Sequence, residues 1–162
     1  IKHDINLYAY HLPLDAHTEL GNNTQLGKKL GIVEAGRFGE QNIAAYGHFP
    51  ESVSLDELSN LLNSVLGRKP LIIGDPLKPV RRVAWCTGAA QSYFEEAIRL
   101  GVDIFITGEI SEQNVHTARE SGTAFISAGH HATERYGIQA LGEHLSQKFS
   151  IAHHFIEVEN PV

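Results

Sequence analysis

The sharpest chemical spacing in the chain is His130-His131-Ala132-Thr133-Glu134. At the start of a helix, His130 and Glu134 stand four residues apart on one face, an imidazole and a carboxylate one turn from each other. Placed that way they can flank a single cation, as the ligands of H-E-x-x-H metal helices do. The plainer alternative is an exposed helix start, with Glu134 complementing the helix dipole and His130 solvated. His131 faces elsewhere and reads as a supporting or surface residue. Asp15 follows Pro13 in His11-Leu12-Pro13-Leu14-Asp15-Ala16-His17, which Pro13 is expected to hold as a loop. Its two oxygens can each serve one ion, although alone a turn aspartate is the simpler reading. His11 is the candidate for proton transfer or substrate contact; His17 fits the surface equally well. Ten histidines in the chain favour a metal site, because histidine is the commonest metal ligand.

Other residues carry weaker signals. Thr87-Gly88-Ala89-Ala90 gives a strand, a small-residue turn and a helix N-terminus, a geometry able to hold an anion on backbone amides. It lacks the Walker lysine and the G-x-G-x-x-G spacing, and close strand–helix packing explains it as well. Glu109 suits a general base or a structural partner. Cys86 is most simply a buried strand residue. His153 and His154 sit on the last predicted strand, and neither receives a role.

The elements that must position these groups follow from periodicity and punctuation. Ile5 to Tyr10 reads as a strand running into His11 and Asp15. Asn22 and Asn23 can cap a short helix to Leu30, stopped by Gly31. Ile32 to His48 resembles an antiparallel hairpin. Ser54-Leu55-Asp56-Glu57 is a capping box, opening a helix with Leu55, Leu58, Leu61, Leu62 and Leu66 on one face. Leu71 to Ile73 is a short strand. Strands at Arg82–Cys86, Val102–Ile106 and Thr123–Ser127 then alternate with helices at about Gln91–Leu100 and Ser111–Ser121. A long helix from about Thr133 to Phe149 and a strand from Ile151 to Val158 close the chain. This rhythm predicts a three-layer α/β/α fold with parallel strands joined by right-handed crossover helices. Residues 1–31 and 78–162 are expected to form the metal-site domain and 32–77 a smaller inserted α+β module. In open parallel sheets, ligands bind beyond the carboxyl ends of the strands. Four predicted strands end in polar or glycine-flexible residues: His11 to Asp15, Thr87-Gly88, Thr107-Gly108-Glu109 and Gly129-His130-His131.

Bulk properties exclude several classes. Hydrophobic residues make up 42% of the 162 and charged residues 20%, enough for a core and too balanced for disorder. A formal charge of -6 disfavours a nucleic-acid partner, whose phosphates call for a basic surface. No apolar run approaches the roughly 18 residues of a membrane span. One cysteine cannot form an internal disulfide, which fits a reducing cytoplasm. The chain has no methionine and begins with Ile1 directly before a strand-like run, which reads as a fragment lacking its N-terminal part.

The motifs His11-Leu12-Pro13-Leu14-Asp15-Ala16-His17 with Leu20-Gly21-Asn22-Asn23, Arg82-Val83-Ala84-Trp85-Cys86-Thr87-Gly88, Phe105-Ile106-Thr107-Gly108-Glu109 and Gly129-His130-His131-Ala132-Thr133-Glu134-Arg135 occur in an order that resembles the GTP cyclohydrolase 1 type 2 homologue family, also called Nif-three-like proteins. The resemblance runs the length of the chain. It implies a toroidal homohexamer with two divalent cations per full-length subunit, manganese, zinc or iron being plausible. It also implies Asp15, His130 and Glu134 as ligands, with Glu134 touching both ions. The family's remaining ligands, an adjacent His-His pair, lie upstream of anything present here, so the chain is expected to hold part of the site and to bind metal more weakly. The activity implied is metal-dependent hydrolysis of a nucleotide-like substrate. The competing expectation is a non-enzymatic metal-binding scaffold.

Overall fold

The computed structural model describes residues 2–162. Six strands among them, β1 (Val33–Phe38), β2 (Ala44–Ser54), β3 (Leu71–Ile73), β4 (Pro79–Trp85), β5 (Ile104–Thr107) and β6 (Ala124–Ser127), form one sheet in the order β1-β2-β4-β5-β6-β3. The central β4-β5-β6 trio is parallel. The outer neighbours are antiparallel, β1 and β2 on one side and β3 on the other. Seven α-helices accompany them: α1 (Leu12–Ala16), α2 (Asn22–Lys29), α3 (Leu55–Leu66), α4 (Phe94–Arg99), α5 (Glu112–Ser121), α6 (His130–Thr133) and α7 (Tyr136–Phe149).

Alternation along the central strands builds the three layers. Val83, Trp85, Ile104, Ile106, Ala124 and Ile126 face one core, closed by Leu26 and Leu30 of the α2 segment, by the leucines of α3, and by Ala132 and Tyr136. Ala84, Cys86, Phe105 and Phe125 face the other, closed by Phe94 and Ala97 of α4 and Ala118 of α5. Side chains one residue apart on a strand point to opposite faces, so near-continuous apolar runs such as Ile104-Phe105-Ile106 mark strands covered on both sides. The Ser54–Glu57 capping box is formed in both directions, and Gly67 ends α3 in the left-handed region at φ 70°. The 32–77 segment supplies both edges of the sheet, and its α3 leucines share a core with Val83 and Ile104. No seam therefore separates it from the central strands.

Four expectations are corrected. Ile5–Tyr10 and Ile151–Val158 form neither helix nor strand. Their apolar residues stay outside, Leu7 at 91% and Ile156 at 79% exposure; a strand exists only with a neighbour to hydrogen-bond, and among the described residues no strand pairs with these segments. Pro13 does not prevent a helix, because it stands in the first turn of α1, where its missing N–H costs nothing. The single long helix expected after His130 is two helices, broken at Glu134, whose φ of -102° and ψ of 17° leave the helical region.

Candidate metal centre

The parallel strands β4, β5 and β6 deliver their carboxyl ends to one rim, and backbone hydrogen bonds continue beyond the strands. Gly108 N donates to Gly88 O at 2.9 Å, Ala128 N to Thr107 O at 2.8 Å and Gly129 N to Gly108 O at 2.9 Å. Gly88 has φ +69°, and a Cβ there would collide with Glu134 Oε1 and lie 3.2 Å from His130 Nε2. Only glycine holds that conformation without strain while leaving room for the two side chains. The fully buried Thr133 ties the rim together: its hydroxyl accepts from Gly88 N at 3.1 Å and lies 2.9 Å from Gly129 O.

His130 and Glu134 are brought together, Nε2 to Oε2 at 3.0 Å, although Glu134 caps a single turn rather than continuing a helix. The other imidazole nitrogen, Nδ1, lies 2.7 Å from Glu109 Oε1. Asp15 is buried at 4% exposure. Its Oδ1 accepts from Asn22 Nδ2 at 2.7 Å, and its charge reaches both His130 and Glu134. His11 precedes α1 on the exposed side, and its imidazole is one of the groups that act electrostatically on Asp15 and Glu134.

The electrostatics are those of too many carboxylates in too little water. Burial pushes the Asp15 carboxyl above its ordinary value, opposed by the Asn22 hydrogen bond and by the imidazoles of His11 and His130. Burial raises Glu134 too, and the Asp15 charge adds to it. The hydrogen bond to Glu109 is the main cause of a raised His130, with burial opposing and Glu134 reinforcing. Each shift favours an added proton, and a cation would relieve the same repulsion.

The donor chemistry fits a borderline or hard divalent cation: carboxylate oxygens and an imidazole nitrogen. The one thiol, Cys86, is buried at 3% exposure and pushed up to about 12 by desolvation, so it supplies no thiolate. The donor geometry fits in part. Among the described residues, no three His, Cys, Asp or Glu side chains are gathered closely enough to enclose an ion. The reason is local, since His130 and Glu134 bond each other and Asp15 turns to Asn22.

Other candidates are placed elsewhere. The amides at Thr87, Gly88 and Ala90 do not form an anion cradle, because they donate to Asn23 Oδ1, Thr133 Oγ1 and Thr107 Oγ1. His17 caps its own turn, accepting from Glu19 N and Leu20 N at 3.1 Å each. His131 pairs with Glu157 at 3.1 Å, and His153 packs on α7 at Gly142. With Arg135, also paired to Glu157, His131 lines a cavity of about 670 Å³ between the His130–Glu134 pair and the chain near Phe155.

Sequence reasoning takes Asn22 and Asn23 for helix caps and misses their main work. Asn22 joins Asp15 to α7, its Oδ1 accepting from Gly137 N at 2.7 Å. Asn23, fully buried, donates to Ile43 O at 2.9 Å and accepts from Thr87 N at 2.9 Å, fastening α2 to the end of β4. Two adjacent asparagines beside a single-turn helix are the available signal.

Comparison with known proteins places the chain in a family. A "GTP cyclohydrolase 1 type 2 homolog" of Neisseria meningitidis serogroup B is 52% identical over 161 residues, 99% of this chain and 65% of that protein. The counterpart in Escherichia coli K12 is 51% identical over 162 residues, again 65% of its length. Among solved structures, the protein ybgI, described as of unknown function, superposes with a TM-score of 0.93 at 49% identity, covering 100% of this chain and 65% of that one. TTHA1606 from Thermus thermophilus gives 0.83 at 33% identity, over 98% of this chain and 63% of that one. The chain thus spans about two thirds of the length of these relatives. The profile described as Duf34/NIF3 (NGG1p interacting factor 3) matches residues 1–161, and the chain belongs to that family.

Proposed function

We propose that Asp15, His130 and Glu134 hold divalent cations and that the full-length protein is a metal-dependent hydrolase acting on a nucleotide-like substrate. The observation that carries this reading is the accumulation of partly buried negative charge at one rim. Burial raises the carboxyls of Asp15 and Glu134, the Asp15 charge raises Glu134 further, and the adjoining imidazole is held between two glutamates. A bound divalent cation would supply a water of lowered pKa and compensate charge developing on oxygen. Glu134 and Asp15 would provide oxygen donors and His130 nitrogen, and exposed His11, just before α1, would meet substrate or pass a proton. The relatives' name, GTP cyclohydrolase 1 type 2 homolog, supports a nucleotide-like substrate. The reading extends to two cations of manganese, zinc or iron per full-length subunit, and to a cytoplasmic toroidal homohexamer. A lone buried cysteine agrees with the compartment. Among the described residues no helix is long and apolar enough to cross a membrane.

The test is to load the full-length protein with manganese, zinc or iron and screen nucleotides by product detection, with Glu134→Ala alongside. Turnover lost in the variant supports the reading; turnover that survives removes it. A second reading, a metal-binding scaffold without turnover, is favoured by a family description that speaks of an interacting factor. Metal uptake with no product from any nucleotide would select it.

A further inference from the structure

We infer that Glu109 is a positioning residue for the centre: it fixes the proton of His130 on Nδ1 and so presents Nε2, lone pair outward, to the cation. This rests on the metal reading above. The two ring nitrogens of His130 have different partners, Glu109 Oε1 at 2.7 Å on Nδ1 and Glu134 Oε2 at 3.0 Å on Nε2. In a neutral imidazole one nitrogen donates and the other accepts, and the hydrogen bond at one decides what the other offers. Glu134 is the residue that would share the cation, so the nitrogen beside it must be the ligand. Nδ1 is left to donate, and Glu109 receives that bond.

The backbone gives Glu109 the rigidity this task needs. It follows β5 directly through Gly108, whose N–H is bonded to Gly88 O at 2.9 Å and whose carbonyl accepts from Gly129 N at 2.9 Å and Ser127 Oγ at 2.8 Å. A Cβ on Gly108 would lie 2.7 Å from His130 Cα, so the two backbones are in direct contact. An orienting carboxylate anchored on a strand end and a ligand imidazole on the next strand's exit form the carboxylate–histidine–metal arrangement that sets tautomer and ligand basicity.

Two measurements test this on the full-length protein and its Glu109→Ala and Glu109→Gln variants. The first reads the His130 tautomer in the metal-free protein by long-range proton–nitrogen NMR correlation in alkaline buffer. The expected result is Nδ1–H in the wild type and a shift toward Nε2–H in Glu109→Ala. The second is calorimetric titration with Mn2+ or Zn2+. Glu109→Ala should weaken uptake about 10–100-fold. Glu109→Gln, whose amide oxygen still accepts from Nδ1–H, should recover part of the loss. An unchanged tautomer, or a Glu109→Ala protein that titrates like the wild type, overturns the inference. If the wild type takes up neither cation, the metal reading falls, and the tautomer comparison alone decides whether Glu109 orients the ring.

Discussion

At His130 an imidazole sits between two carboxylates, and a third, Asp15, is close enough to feel the ring and to act on Glu134. Asp15, His130 and Glu134 all favour protonation in the folded state. A group whose pKa folding raises contributes stability that is complete below its unfolded value and lost as pH climbs through its folded value. The ordinary values are 3.8 for Asp15, 4.5 for Glu134 and 6.5 for His130, and all three move upward. The metal-free protein is therefore expected to lose stability in steps as pH rises from the acid range to beyond 6.5. Glu57 and Glu157 act in the opposite sense, but only as pH falls below their ordinary 4.5. Urea midpoints across this range read the effect, and Glu134→Gln should flatten the decline. A stability that grows steadily with pH above about 5, beyond the ordinary carboxylate range, would contradict the charge account, and added divalent cation should lift the alkaline end of the curve.

Among the elements, α2 shows how closely the helices are fitted to the sheet. Gly27 lies over Trp85 so tightly that a Cβ would stand 2.7 Å from the ring, and the indole Nε1–H donates to Asn23 O at 2.8 Å. Replacing Gly27 by alanine gains about 1 kcal/mol of helix propensity, but the ring cannot retreat without breaking its hydrogen bond. Overpacking of about 1–3 kcal/mol should win. Gly27→Ala is expected to unfold at lower denaturant, and its single tryptophan to change emission in the native state. A variant more stable than the parent would show that the contact relaxes freely. The same elements show what the sequence made legible. The α3 capping box, the paired cores of β4, β5 and β6, and the convergence of their ends on His130 and Glu134 follow from local chemistry and periodicity. The break at Glu134 and the asparagine bridges did not, because tertiary hydrogen bonds such as Gly137 N to Asn22 Oδ1 decide them; the helix through Pro13 did not, because a proline that opens a first turn reads equally as a loop. Ile5–Tyr10 and Ile151–Val158 read as strands by composition, but pairing requires a partner that composition does not supply.

On the scale of the whole molecule, one sheet unites segments from across the chain, and its two edges come from the same stretch, 32–77. The central strands pair through crossovers of modest length, Val83 with Ile104 and Ile104 with Ala124. The β3–β6 pairing, Leu71 with Ser127, reaches furthest along the sequence of any in the sheet. Closing the longest loop costs the most chain entropy before any contact rewards it. The edge made by β3 is therefore expected to zip on after the barrier is crossed. Stopped-flow mixing should show Ile72→Ala, at a cost of about 1–3 kcal/mol, accelerating unfolding while leaving the refolding rate nearly as it was. A refolding limb slowed by most of that amount would put β3 in the nucleus instead. Late arrival of this strand also leaves the apolar edge of β6, Phe125 and Ile126, open for a time in the refolding chain. That interval is when a crowded solution would divert molecules into aggregates.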